Sequence, residues 1–284
     1  MANNFLTPQT IASTALGLLA REVVLPATVH RDAESDFQGR VGDTVMIRKP
    51  ATLTAREFDG AEIQMDDIDE SGVALELDKH LYSAVPVTDK EMTLEVEDFG
   101  TQVLEPQVRA VATAAEDALA THMNGLTGTI DVGEGSVYSA ITQARKELTE
   151  ANVPSGDRYL AVGPEFEMEL LNDEKLQIHR VDASGGDDAL REATLGRLLG
   201  FTVVVSNGID SDSAVAYHRD AFALATRAPV VPDGAAFGQS MSWADLSMRW
   251  LRDYDSSKLR DRSIVSAFAG GKALDEDRAL RITL

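Results

Sequence analysis

A chain of 284 residues, 44% hydrophobic and 26% charged with a formal net charge of −21, is large enough for one big core or two modest ones. Without cysteine it has no disulfide framework, no thiolate metal site and no thiol nucleophile. The excess of carboxylates argues against a tight grip on nucleic acid, which demands clustered Lys and Arg, and no apolar run approaches the ~20 residues that cross a bilayer.

The N-terminal stretch carries no basic segment leading into an apolar one, so no secretory signal is read there. Thr7 as a cap and Pro8 at the first helical position predict a helix over 7–24, with Ile11, Ala15, Leu18 and Leu19 on its apolar face and Pro26 ending it. Residues 27–40 read as irregular. Gly42 to Pro50 reads as a turn into a strand, Val45 and Ile47 facing one way and Thr44 and Met46 the other.

From Thr52 to Asp78 the chain turns acidic, and between Glu57 and Asp78 there is no Lys or Arg. Extended pieces at Ala51 to Ile63 and Val73 to Leu81 flank the acidic tip. Val73, Leu75, Leu77 and Lys79 alternate with Ala74, Glu76 and Asp78, the pattern of a half-buried strand. Together they predict a two-stranded arm reaching roughly 30 Å. A lone hairpin is marginal in water, so an arm of this length calls for a neighbouring subunit to lie on.

Tyr82 to Leu94 carries the strand back towards a long helix, Asp98 to Asn124, of about 39 Å. Leu104, Val108, Val111, Ala115, Leu119 and Met123 share one face. Gln107, Arg109 and Glu116 fall on the opposite face. Asp98 is the cap, Gly125 follows the end, and Pro106 marks where the regular part begins.

The next unit starts near Ile130. Ser136 opens a helix with Val137, Ile141, Ala144 and Leu148 inward, closed by Asn152 and Pro154. Arg158 to Gly163 reads as a buried strand, Pro164 to Asn172 as a short helix, 182–188 as a loop and Ala189 to Leu195 as a brief helix. Phe201 to Val205 is the strongest strand, and 214–226 reads as a strand followed by a helical turn. Strands follow around Leu246 to Tyr254 and over Arg262 to Ala269. Gly270-Gly271 is read as a chain reversal, and Ala279 to Leu284 as a last strand.

No constellation for catalysis emerges. His30, His80, His122, His179 and His218 are scattered, with no metal-ligand spacing. The acidic run Asp66 to Glu70 lacks the spacing and central glycine of a calcium loop. Gly133-Glu134-Gly135-Ser136 lacks the lysine of a phosphate loop, and there is no G-x-S-x-G elbow. Arg249, Trp250, Arg252, Tyr254, Lys258, Arg260 and Arg262 interleave bases with aromatics, but Asp253, Asp255 and Asp261 cancel much of that charge, which favours a subunit contact over nucleic acid. No catalytic, cofactor-binding or metal residue is assigned, and the chain reads as an interaction protein rather than an enzyme.

The order of these parts resembles the major capsid protein of tailed bacteriophages with the Hong Kong 97 capsid fold, and most resembles the podovirus-type coats of actinobacterial phages. The resemblance rests on Gly42-Asp43-Thr44-Val45 entering a strand that ends at Lys49-Pro50, and on the AVPVTDKEMTL run before the long helix. It rests further on Tyr159 to Pro164 with Leu170 to Asp173, on Gly196 with Gly200 to Asn207, and on His218 to Ala225. It implies an α+β fold with an N-terminal arm (1–40), a peripheral domain with a spine helix (41–51 and 79–129), an extended loop (52–78), an axial domain (130–240) and peripheral C-terminal strands (241–284), the last strand either staying there or joining the axial domain. It also implies self-assembly into an icosahedral shell around double-stranded DNA, in a virion built in the host bacterial cytoplasm, with no membrane involved. The partners are many copies in pentamers and hexamers, a separate scaffolding protein, a portal protein and, optionally, a decoration protein.

Some family members carry a cleaved N-terminal scaffolding segment; here the first strand begins by about residue 42, so none is expected. Others crosslink through a lysine in the extended loop; Thr52 to Asp78 has none, so no covalent chainmail is expected. Subunit contacts are assigned to Phe5, Leu6, Arg56, Phe58, Asp66, Asp67, Asp69, Glu70, Arg109 and Arg249, with Arg145 a further basic candidate for the acidic tip. The alternatives are an encapsulin-type nanocompartment shell and a soluble α/β enzyme.

Overall fold

The computed structural model describes residues 23–32, 44–49, 55, 57, 65, 71–94, 99–133, 135–173, 196–243 and 246–284. The predicted helix at 7–24, the tip of the arm, the loop at 182–188 and the helix at 189–195 lie outside these residues, apart from Val23 and Val24. A 3-10 turn at Leu25–Thr28 follows Val24.

The described strands form three sheets. β1 (Thr44–Lys49) and β2 (Ser71–Glu76) pair antiparallel, so the two flanks of the acidic stretch meet as the base of a hairpin. Its alternation is as read from the sequence: Val45 and Leu75 are buried, while Met46, Ala74 and Glu76 are exposed. Val45 and Leu75, with Ile47, Val73 and Leu77 beside them, pack on Ala223, Ala225 and Leu274 of the body.

The five-stranded sheet runs β10 (Phe237–Trp243), β11 (Leu246–Asp255), β12 (Arg260–Ala273) and β3 (Lys79–Thr88), with β9 (Phe222–Arg227) on the second half of β12. Two expectations are corrected here. Gly270 and Gly271 do not reverse the chain; β12 passes straight through them, because the glycines serve close packing rather than a turn. A Cβ on Gly270 would sit 1.9 Å from the Glu76 carbonyl oxygen, and one on Gly271 would sit 3.3 Å from Leu119 Cα. The expected helical turn after His218 is the 3-10 turn Arg219–Ala221, but the residues after it, read as part of that turn, form strand β9. Phe222 to Ala225 are fully buried, and that continuous apolar run hides the strand period.

The six-stranded sheet has the order β4 (Thr129–Asp131), β13 (Ala279–Thr283), β8 (Ser213–His218), β5 (Arg158–Val162), β7 (Phe201–Val205), β6 (Arg197–Leu198). β8 is buried along its whole length, as a central strand covered on both faces must be. The sequence reading groups 130–240 in one unit; by hydrogen bonding, β9 and β10 join the five-stranded sheet and β13 joins the six-stranded one. The chain therefore passes from the five-stranded sheet to the six-stranded one between β3 and β4, returns at residues 219–221, and crosses over again at 274–278.

Among the described residues, four α-helices complete the fold. α1 (Asp89–Leu94) starts with a reciprocal cap: Glu91 accepts from the Thr88 amide (2.8 Å) and Thr88 Oγ1 accepts from the Glu91 amide (3.3 Å). α2 (Glu105–Asn124) is the predicted long helix. The loosening expected before Pro106 is a π-helical turn at Gly100–Leu104, and the predicted cap Asp98 lies outside the described residues. α3 (Val137–Glu150) is capped by Ser136 as expected, and α4 (Pro164–Asn172) begins at Pro164. α3 and α4 pack Ile141, Leu148, Phe166 and Leu170 on one face of the six-stranded sheet.

α2 joins the two sheets. Leu104, Val108, Val111 and Ala112 pack on Met248, Trp250, Val265 and Ala267 of the five-stranded sheet. About two turns later, Leu119, Ala120 and Met123 pack on Ala161, Val215 and Tyr217 of the six-stranded sheet.

Candidate subunit-contact surfaces

The sequence reading sets Gln107 and Glu116 on the solvent face of α2; both are buried. The Gln107 amide donates to the carbonyls of Ser83 (3.1 Å) and Ser263 (2.9 Å). Ser263 Oγ donates back to Gln107 Oε1 (2.6 Å) and accepts from Trp250 Nε1 (3.0 Å). Glu116 accepts from the Leu25 amide (3.2 Å) and from Ser206 Oγ (3.0 Å), which ties the N-terminal segment to the helix. Burial demands such partners for polar groups, and here they come from far along the chain.

Burial pushes the Glu116 carboxyl above the usual carboxylate range, against the hydrogen bonds from Leu25, Ser206 and Val24. Its stabilising contribution is therefore complete at acid pH and is lost as pH rises through the raised value. Glu116→Gln is expected to flatten this loss. Urea midpoints measured across mildly acidic to neutral pH should slope less for the variant, and equal slopes would refute the assignment.

What remains open on α2 is a narrow strip. Glu105, Pro106, Arg109, Ala110, Thr113, Ala114 and Asp117 line a shallow trough along it. Arg109 lies there, half-exposed and paired with Glu105 at 3.3 Å. A second shallow trough lies between Ala236, Phe237, Trp250, Arg252, Tyr254 and Asp261.

At the far end of β11 and β12 the interleaved bases are spent within the molecule. Arg252 pairs with Asp261, Arg262 with Asp253, and Arg260 with Asp255 at 3.8 Å. Arg252 also lies 4.9 Å over the Phe99 ring, and Tyr254 donates to Asp89 (2.8 Å). Cross-strand pairing of this kind neutralises the cations that a phosphate backbone would need. Arg249 donates to the Val230 carbonyl (2.6 Å) and to Ser266 Oγ (3.1 Å), and Arg145 to the Leu199 carbonyl (2.9 Å). Arg109 and Arg249 thus sit on different elements, α2 and β11. Phe5, Leu6, Arg56, Phe58, Asp66, Asp67, Asp69 and Glu70 lie outside the described residues.

Large apolar side chains are exposed at Tyr82 (71%), Met46 (60%) and Leu259 (62%). Tyr82 and Met46 lie in strands and Leu259 in the turn between β11 and β12, where sequence does not tell an exposed apolar residue from a buried one until its neighbours are known. Among the described residues, no three His, Cys, Asp or Glu are grouped to hold a metal ion, and no helix is long and apolar enough to cross a membrane.

A family model described as phage capsid protein matches residues 73–282. The chain belongs to the phage capsid protein family. Its role is that of a capsid shell protein, and its α+β architecture is the Hong Kong 97-type capsid fold. The capsid chain is similar in structure to a protein of Mycobacterium phage Che8, with 23% identity and a TM-score of 0.70 over 92% of this chain and 91% of that one. It is also similar to the capsid of cyanophage P-SCSP1u (14% identity, TM-score 0.66, 92% and 88% covered). A virus-like particle from Pyrococcus furiosus is a third relative in fold (13% identity, TM-score 0.53, 96% and 98% covered). By sequence, no curated protein gives a significant match.

Proposed function

We propose that this chain is the major capsid protein of a tailed phage, of the podovirus type found in actinobacterial phages, and that many copies close into an icosahedral shell around double-stranded DNA. The observation that carries the reading is the family match across residues 73–282, which takes in the arm's second strand, the long helix and both large sheets. In this reading the five-stranded sheet with α2 is the peripheral domain, and the six-stranded sheet is the axial domain that meets its copies around five-fold and six-fold axes. The acidic arm lies over a neighbour. Assembly draws on a separate scaffolding protein and a portal, takes place in the host cytoplasm, and involves no catalysis. A net charge of −21 keeps the shell from gripping the DNA it holds. Each contact is weak, and closure multiplies them.

The chain co-expressed with its scaffolding protein, examined by negative-stain electron microscopy, is expected to yield closed particles hundreds of ångströms wide (~10² Å, many subunits per shell). Deleting residues 58–72 should leave folded, soluble subunits that form no stable shells; normal particles from that deletion would end the proposed role of the arm. A cargo-holding nanocompartment is the second reading, favoured by the likeness to the Pyrococcus furiosus virus-like particle. Nuclease-protected DNA inside particles isolated from infected cells supports the phage reading, and a packaged enzyme in its place supports the other.

A further inference from the structure

Of the three crossings between the sheets, the two that follow α2 lie side by side. The first is the 3-10 turn Arg219–Ala221 between β8 and β9, and the second is the segment 274–278 between β12 and β13. The amides of Leu274 (2.8 Å) and Asp275 (3.2 Å) both donate to the Ala221 carbonyl, so one crossing is fastened to the other. The N-terminal segment docks on the same point: the His30 amide donates to the Phe222 carbonyl (3.0 Å), and the Leu224 amide to the His30 carbonyl (3.2 Å).

Charged side chains run through this junction. Asp220 stands in the middle, with His30 Nδ1 3.6 Å from one carboxylate oxygen and His218 Nδ1 3.6 Å from the other. Arg278 lies 3.9 Å from Asp220 and 3.0 Å from Asp275, and Asp275 lies 3.4 Å from Lys49 at the hairpin base. Arg158 of β5 is directly opposite His218, and the Asp157 carbonyl accepts from the Arg219 amide (3.0 Å). His218 itself is buried, and its Nδ1 accepts from the Asp220 amide (3.2 Å), capping the turn. That bond requires Nδ1 to carry no proton.

We propose that His218 and Asp220 form an acid-sensitive clasp that holds the two sheet crossings together. With a neutral imidazole, the turn is capped and Ala221 presents its carbonyl to Leu274 and Asp275. Protonation at Nδ1 removes the cap and places a buried cation between Arg278 and Arg158. Each sheet keeps its own ladder, and the join between them loosens. The sign agrees with the environment. Burial pushes the His218 imidazole below the ordinary histidine range; Asp220 and Asp157 oppose the shift, while Arg278 and Arg158 reinforce it. A depressed histidine supplies stability that is complete above the ordinary pKa and is lost as pH falls from there through the lowered value.

The test is amide hydrogen exchange on the full chain. The protection of Leu274 and Asp275 is divided by that of Ala144 and Leu148 in α3, which cancels the intrinsic pH dependence of exchange. In the wild type this ratio is expected to fall about fivefold between about pH 7.5 and 5.5. His218→Gln, which keeps an acceptor and cannot be charged, should hold the ratio constant, whereas His30→Gln should keep the wild-type fall. An equal fall in His218→Gln overturns the proposal. Should that variant not fold, an NMR titration of the wild-type ring decides. A midpoint below the ordinary histidine value sustains the clasp, and one above it overturns the clasp.

Discussion

Gly270→Ala is expected to unseat the base of the hairpin arm. The added Cβ would lie 1.9 Å from the Glu76 carbonyl oxygen and 2.8 Å from its carbon, distances at which backbone must move. Neither side can yield cheaply. Gly270 lies in β12, paired with Ala225 of β9, and Glu76 ends β2, paired with Thr44 of β1. Overpacking a well-filled site costs about 1–3 kcal/mol and sometimes more. Here the easier of the two to displace is the two-stranded hairpin, held to the body by the small cluster of Val45, Leu75, Ala223, Ala225 and Leu274. Thermal unfolding of the subunit should drop by several degrees (about 2–4 °C per kcal/mol), and shell yield should fall further, because the arm loses its fixed root. Wild-type melting and yield together would mean that β2 does not cross β12 at this distance.

Trp250→Ala is expected to cost about 3–5 kcal/mol, the usual range for emptying a large aromatic site in a core. Trp250 is buried between Phe99 (ring centroids 6.0 Å apart) and Phe237 (5.6 Å) and packs in the cluster holding the first half of α2 to the five-stranded sheet. The loss is double. A cavity opens under the helix, and Ser263 Oγ loses its indole donor within the Gln107 network. Trp250→Phe separates the two effects, since it refills most of the cavity without restoring the N–H. Urea midpoints should rank wild type, then phenylalanine, then alanine; an alanine variant within about 1 kcal/mol of wild type would contradict the packing described.

Much of the fold is legible in the sequence wherever local pattern and tertiary demand agree. The alternation from Val73 to Glu76 marks the buried side of β2 residue by residue, Ser136 and Pro164 start their helices, and the apolar stripe of α2 is the stripe that packs. The failures share a cause. Gly270-Gly271 looks like a turn because the reason for both glycines is a carbonyl and a helix backbone nearly two hundred and about one hundred and fifty residues away in sequence. Gln107 and Glu116 look solvent-facing because their partners at Ser263 and Leu25 lie 156 and 91 residues away. By contrast, the cancellation of the β11 and β12 arginines by Asp253, Asp255 and Asp261 is legible in composition, and the register adds which partner each has, setting Asp253 opposite Arg262 and Asp255 opposite Arg260. The contact surfaces are less legible than the fold, since a patch for a second copy need not leave a periodic trace in the first.

The interleaving of strands sets a timetable for synthesis. β13, which follows every other described strand in sequence, fills the place between β4 and β8 and brings Ala279 and Ile282 into the cores on the two faces of its sheet. β3, made early, waits for β12, and β4 waits for β13. At about 5–20 residues per second, roughly 10–30 s separate β4 from its partner on the ribosome. The five-stranded sheet stays open until β12 is made and the six-stranded sheet until β13 is made, so a growing chain lacks both large sheets for most of its synthesis. Shell growth is therefore expected to draw on chains in which β12 and β13 are already in place.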